Sequence, residues 1–289
     1  MFRPFRRASR WGAVCAALAL PVVASGVAVA APQPIEYVAL GDSAAAGPLI
    51  PDQDTAHLGC LRSNHNYPSV VAADLGARLT DVSCSSARTV NLTDVPQSTV
   101  GGPAARQIDA LGPTTDLVTI TSGANDFGLV VTALSCVNPL PQPTGFSCRD
   151  RFAKGGQDQQ FAQIDAWAPA WGAMLDRVRE RAPRARVAVV GYGTYIRAGG
   201  CPGTQPIWPQ DADYLQGVID HMNAAMAAQA RSRGVEFVDI TAATAGHDIC
   251  ADPANAYYTG VVPGEVAVPL HPTALGMRAI GTHVAQQLR

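Results

Sequence analysis

Five short runs rich in β-branched residues (35–40, 78–82, 117–121, 187–190 and 235–240) are spaced along the chain, with helical or loop-like stretches between them. Strands that are apolar on both sides of the pleat cannot face water on either side. They need helices over both faces, and parallel neighbours joined by helical crossovers supply them. Two of the intervening stretches carry the helical period. Residues 161–181 place Ile164, Trp167, Trp171, Leu175 and Val178 three to four apart, and 211–233 do the same with Tyr214, Leu215, Val218, Met222 and Met226. Gly234 supplies a stop for the second. A last helix is predicted from Pro272, a residue suited to the first helical position, toward Leu288. The expected class is α/β with a five-stranded parallel sheet.

The N-terminus reads as an export address. Arg3, Arg6, Arg7 and Arg10 precede an apolar run over 11–23, and Ala28-Val29-Ala30 follow, which is the pattern of a signal peptide over residues 1–30. The run is too short for a membrane anchor, and no later segment is apolar enough to span a bilayer. Arg6-Arg7 leaves both general and twin-arginine export open. Past the leader stand Cys60, Cys84, Cys136, Cys148, Cys201 and Cys250. An even number in an exported chain points to disulfides, and six cysteines allow fifteen connectivities, of which sequential pairing is the simplest. A metal site is disfavoured because no C-x-x-C pair occurs and no histidines stand at ligand spacing. The Pro/Gly-rich stretches 135–156 and 192–211 carry cysteine and read as stapled loops rather than linkers, so 31–289 is expected to be one domain.

Composition narrows the class of function. With 47% apolar and 15% charged residues the chain is not disordered. Acids outnumber bases 23 to 21, and four of the bases precede residue 11, so nucleic acid is not an expected partner. A monomer acting on a small-molecule or lipid ester is expected. In open α/β sheets chemistry sits at the carboxyl ends of strands. There stand Gly41-Asp42-Ser43, Ser83 to Ser86, and Gly123 to Asp126, while His271 directly precedes the last helix. Ester cleavage needs a hydroxyl, an imidazole to take its proton, and donors for the oxyanion. Ser43 can be the nucleophile and His271 the general base and acid. The Asn125 side chain, with the Ser43 and Ser86 N–H groups, can form the oxyanion hole. Taken singly, each has a bland alternative: Ser43 as a helix cap, His271 as a turn residue, Trp167 and Trp171 as core. His57, His65, His221, His247 and His283 default to surface or loop roles, and His247-Asp248 is a weak second pair. No G-x-S-x-G, H-E-x-x-H or P-loop occurs.

In this order, GDSAAAG at 41–47, GAND at 123–126 and HPT at 271–273 resemble the SGNH (GDSL-type) hydrolases, in particular the secreted actinobacterial esterases and lipases. The resemblance spans essentially the whole mature chain. It implies a three-layer α/β/α sandwich of flavodoxin-like type, no metal or organic cofactor, and the disulfides Cys60–Cys84, Cys136–Cys148 and Cys201–Cys250. Two departures stand out. The second block has serine where the family usually has glycine, leaving Ser85 or Ser86 as the backbone donor. The aspartate usual three residues before the histidine is Val268 here, so a Ser–His dyad is expected, with the Val268 carbonyl orienting His271 in place of a triad carboxylate. Glu265, Asp248 and Asp252 are the acids whose mutation tests that. The expectation is a secreted carboxylic-ester hydrolase acting through an acyl-Ser43 intermediate. Phospholipase, ester-type polysaccharide deacetylase, acyltransferase and an inactive binding protein are the alternatives. Thr132, Leu134 and Val137 are candidates for apolar pocket lining.

Overall fold

The structure is a computed structural model that describes residues 33–289 together with Met1, Phe2, Pro4, Ala8, Ser9, Trp11 and Gly12. The leader and its cleavage site therefore lie outside the described residues. The chain divides into two units, Met1–Gln33 and Pro34–Arg289, and every strand and helix among the described residues lies in the second. Its strands are β1 (Glu36–Gly41), β2 (Arg78–Asp81), β3 (Gln97–Thr99), β4 (Gly102–Ala104), β5 (Leu117–Thr121), β6 (Ala153–Lys154), β7 (Gln157–Asp158), β8 (Arg186–Val190) and β9 (Glu236–Val238). Its α-helices are α1 (Ser43–Ala46), α2 (Tyr67–Leu75), α3 (Thr89–Thr93), α4 (Leu129–Leu134), α5 (Cys148–Phe152), α6 (Gln159–Arg181), α7 (Pro209–Arg231), α8 (Thr241–Thr244) and α9 (Ala274–Gln287).

Five of these strands form one parallel sheet in the order β2-β1-β5-β8-β9, flanked by helices, and this is the α/β sandwich. The three inner strands β1, β5 and β8 are almost wholly buried, as their largely apolar runs require. At the edges, β2 alternates exposed and half-buried residues, and β9 contracts to three residues. The pairs β3–β4 and β6–β7 are short antiparallel hairpins, too polar and brief to register as strand periodicity. The two long helices follow their patterns. Ile164, Trp171, Leu175 and Val178 of α6 are buried, as are Tyr214, Leu215, Val218, Met222 and Met226 of α7, whereas Trp167 is half-buried beneath Arg88. α6 packs on α7, and α2 packs on α9.

The last helix begins two residues later than its proline implies. Thr273 is the N-cap, its hydroxyl accepting from the Gly276 N–H at 3.0 Å, and Pro272 precedes the cap. The three disulfides are Cys60–Cys84, Cys136–Cys148 and Cys201–Cys250, which is sequential pairing. No helix among the described residues is long and apolar enough to cross a membrane.

Candidate active site

The first and third strands of the parallel sheet, β1 and β5, are neighbours, and the connections from them leave in opposite directions. This is the switch point of the topology, where a crevice opens beyond the strand ends. At the end of β1 the chain turns sharply into α1. Gly41 permits the turn, because a Cβ there would lie 2.7 Å from both the Ala45 Cβ and the Thr121 carbonyl oxygen. The Gln107 side chain holds the turn down, accepting from the Gly41 N–H at 2.7 Å and donating to its carbonyl at 2.8 Å. Asp42, not Ser43, is the cap of α1: its Oδ1 accepts from the Ala44 N–H at 2.8 Å. The Ser43 hydroxyl is thereby left for another partner, the His271 Nε2 at 2.7 Å.

His271 is buried, at 7% exposure. Its loop is pinned by Thr259, which donates to the His271 carbonyl at 3.0 Å and accepts from the Leu270 N–H at 2.9 Å. The imidazole Nδ1 meets the Pro269 carbonyl at 2.9 Å. The main chain of Val268, the expected partner, is a second and lesser contact of the ring. Leu270 adopts a left-handed φ of 65°, and the reversal brings the carbonyl two residues before the histidine under its ring. Among the described residues no carboxylate bonds to His271. Asp248 lies in an ion pair with Arg197, Asp252 caps a 3-10 turn, and Glu265 is exposed. Burial pushes the His271 pKa below its ordinary value of 6.5, and the main-chain contacts partly oppose that shift.

Three candidate donors stand on the turns that follow β1, β2 and β5. The N–H groups of Ser43 and Ser86 have no partner among the described residues. The second case follows from turn geometry. Cys84 to Ala87 is closed by an Ala87 N–H to Cys84 carbonyl bond of 3.0 Å, and Ser86 sits at its third position with φ 67°. That position favours glycine, and a serine there costs about 1 kcal/mol. The Ser85 N–H is already given to the Cys60 carbonyl at 2.9 Å, so Ser86 holds the free donor of the pair. The Cys60–Cys84 disulfide staples the same turn. Asn125 uses one amide hydrogen on the Ala87 carbonyl at 2.9 Å, tying its own loop to this turn and leaving the other hydrogen available.

Beneath these groups lie two buried aspartates, the acids of the GDSAAAG and GAND blocks. Asp126 accepts from the Thr89 N–H at 2.9 Å, the Thr89 hydroxyl at 2.6 Å and the Trp171 indole at 2.8 Å. Asp42 accepts from the Tyr192 hydroxyl at 2.6 Å. Burial raises the Asp42 pKa to about 7, while its hydrogen bonds to Tyr192 and Ala44 hold the value down. The Tyr192 hydroxyl also lies 3.5 Å from the Ala124 N–H, so it bridges the turns after β1 and β5.

Ser43, Asn125 and His271 edge a cavity whose walls are apolar, with Leu129 and Val130 from α4, Leu215 and Ile219 from α7, and Ile196 and Ile249 from the loops. Thr132, Leu134 and Val137 do not line it. Thr132 is buried against Gln160, Leu134 faces outward, and Val137 pairs with Ile207 in a β-bridge. The His247-Asp248 pair is also dissolved: His247 bonds to the Asn255 carbonyl and stacks on Tyr257.

Comparison with known proteins identifies the family. Residues 39–279 match the GDSL-like lipase/acylhydrolase family. Lipase 2 of Streptomyces coelicolor is 39% identical over 260 residues, covering 88% of this chain and 86% of that protein. The crystal structure of phospholipase A1 from Streptomyces albidoflavus NA297 superposes with a TM-score of 0.69 at 25% identity, over 89% of this chain and 99% of that one. The extracellular lipase of Streptomyces rimosus gives a TM-score of 0.69 at 27% identity, over 88% and 99%. The chain thus belongs to the GDSL-like lipase/acylhydrolase family, the SGNH hydrolases whose three sequence blocks it carries, and it is an ester hydrolase with lipase or esterase relatives.

Proposed function

We propose that this ester hydrolase works through an acyl-Ser43 intermediate formed by a Ser43–His271 dyad, on substrates whose acyl chain enters the apolar cavity. The observation that carries the reading is the 2.7 Å contact between the Ser43 hydroxyl and His271 Nε2 at the edge of that cavity. Ser43 Oγ attacks the ester carbonyl and passes its proton to Nε2, while Nδ1–H donates to the Pro269 carbonyl and keeps Nε2 unprotonated for this role. The Ser43 and Ser86 N–H groups and the Asn125 amide receive the oxyanion. The imidazolium then protonates the departing alkoxide. Water, activated by the same Nε2, attacks the acyl-enzyme and releases the acid, with Ser43 taking back a proton.

A neutral imidazole is required for the first step, so kcat/KM falls as His271 protonates, with a midpoint below pH 6.5. The preferred substrates are acylglycerols or similar esters. A phospholipid is the second reading, favoured by the structural likeness to the Streptomyces albidoflavus phospholipase A1. The protein is secreted as residues 31–289, a monomeric single domain needing no cofactor or metal. Its leader and three disulfides support this reading. Hydrolysis of para-nitrophenyl esters of increasing chain length, with Ser43→Ala alongside, tests the proposal. Activity confined to the parent protein and rising with chain length agrees with it, and equal activity in the Ser43→Ala protein contradicts it.

A further inference from the structure

Beside the cavity, α4 is packed the reverse of an ordinary surface helix. Its single polar residue, Thr132, is buried against Gln160, whereas Val131 and Leu134, one turn apart on the outer face, are 71% and 51% exposed. The loop that follows continues the pattern. It is stapled by Cys136–Cys148 and anchored by the Trp208 indole on the Leu140 carbonyl at 2.7 Å. Its Leu140 is 49% exposed and its Phe146 is 90% exposed. A stapled and anchored loop that spends a phenylalanine on water points to an apolar partner.

The same concavity that holds Phe146 is lined by Ser135, Asp150, Arg151 and Lys154, and Arg151 bonds to Ser135 at the end of α4. With Arg149 adjacent, three exposed cations stand against one acid on a chain that is net acidic, and none of the three forms an ion pair among the described residues. An isologous contact between two copies would set these cations against each other. An anionic bilayer satisfies both features: headgroups for the cations and acyl chains for the apolar tips. The inner face of α4 lines the cavity through Leu129 and Val130, so a surface held against its outer face lies beside the cavity.

We propose that the outer face of α4 and the 135–154 loop dock the enzyme on an anionic phospholipid bilayer, inserting Phe146 and Leu134 between headgroups that Arg149, Arg151 and Lys154 neutralise. This rests on the ester-hydrolase reading above and names the surface from which that site is fed. The test is co-sedimentation of the Ser43→Ala protein, recovered from the medium of a secreting host, with vesicles of phosphatidylglycerol and phosphatidylcholine in equal parts, or of phosphatidylcholine alone. Binding should be tighter on the mixed vesicles. Phe146→Ser with Leu134→Ser should weaken it about tenfold or more, as loss of a buried aromatic implies. Arg151→Glu with Lys154→Glu should weaken it on mixed vesicles by roughly tenfold or more. With Ser43 restored, both double variants should keep the parent rate on a soluble acetate ester, which shows that they fold. Absence of binding, or binding unchanged by both double variants, overturns the proposal. So does a concentration-dependent dimer that dissolves on Phe146→Ser. Vesicle binding by a parent protein that cleaves no ester would overturn the ester-hydrolase reading and leave the surface standing.

Discussion

The turns after β1 and β5 each place a functional side chain at the crevice and a buried aspartate beside it, yet they are held in different ways. After β5, Asp126 gathers three hydrogen bonds from Thr89 and Trp171, so the Asn125 loop is fastened to α3 and α6 by one carboxylate. After β1, Asp42 has one side-chain donor, the Tyr192 hydroxyl, and one backbone donor, the Ala44 N–H. Burial raises its pKa to about 7, near the working range of an imidazole. The Asn125 turn is thus clamped by a network whose satisfaction is nearly complete, and the Ser43 turn by a thinner one that titrates. Tyr192 is the link between them.

The comparison can be broken or sharpened by experiment. On the nucleophile side Ser43→Ala removes the bond-forming atom and should lower kcat by about 10⁴-fold or more, measured on a short para-nitrophenyl ester. On the oxyanion side Asn125→Ala should lower kcat by about 10²–10³-fold with little change in KM, because its free hydrogen meets the developing charge rather than the bound ester. If the two losses were equal, the division of labour between the turns would be wrong.

Stability should rank the two aspartates. Asp126→Asn turns an amide toward donors and should cost about 3 kcal/mol by urea unfolding at any neutral pH. Tyr192→Phe should cost less and depend on pH. Between the ordinary carboxyl range and pH 7, folded Asp42 holds a proton that the unfolded chain has released, so its burial costs stability as pH rises through that window. The Tyr192 hydroxyl offsets this by favouring the carboxylate. Its removal should therefore cost about 2 kcal/mol at about pH 8 and about 1 kcal/mol at about pH 5. An equal loss at both would show that Asp42 does not titrate in the fold. The smallest effect is expected at the Ser86 turn. Ser86→Gly should raise stability by about 1 kcal/mol or less with activity unchanged, since the donor is main-chain and only the left-handed strain is relieved.

Much of this arrangement was legible in the chain. The sheet follows from runs such as 117–121, where every residue is buried, and the two long helices from positions such as Leu175 and Met222 that keep the helical period. Ser43, Asn125 and His271 stand at strand and helix ends, where open α/β sheets put their chemistry. What escaped was decided by backbone reversals and by long-range partners. The carbonyl nearest His271 Nδ1 is that of Pro269, ahead of the expected Val268, and the positive φ of Leu270 beside it is announced by nothing in the residue type. The pocket wall includes Leu215 and Ile219, whose spacing marks a buried helix face but not what that face is buried against. Asp126 and Gln107 act through contacts 37 to 66 residues away, and although Asp126 stands in the GAND block, no short motif names the partners of either.

The central claim is that acyl transfer passes through Ser43 with His271 as its base and no carboxylate behind it. Its most direct test is a rapid acid quench of the enzyme turning over a para-nitrophenyl ester, followed by mass mapping of the peptide that contains Gly41 to Gly47. The account predicts an acyl adduct on Ser43, absent in Ser43→Ala and still formed in Glu265→Gln, Asp248→Asn and Asp252→Asn proteins that remain folded. Full turnover with the acyl group on another residue, or with none on the enzyme, would contradict it.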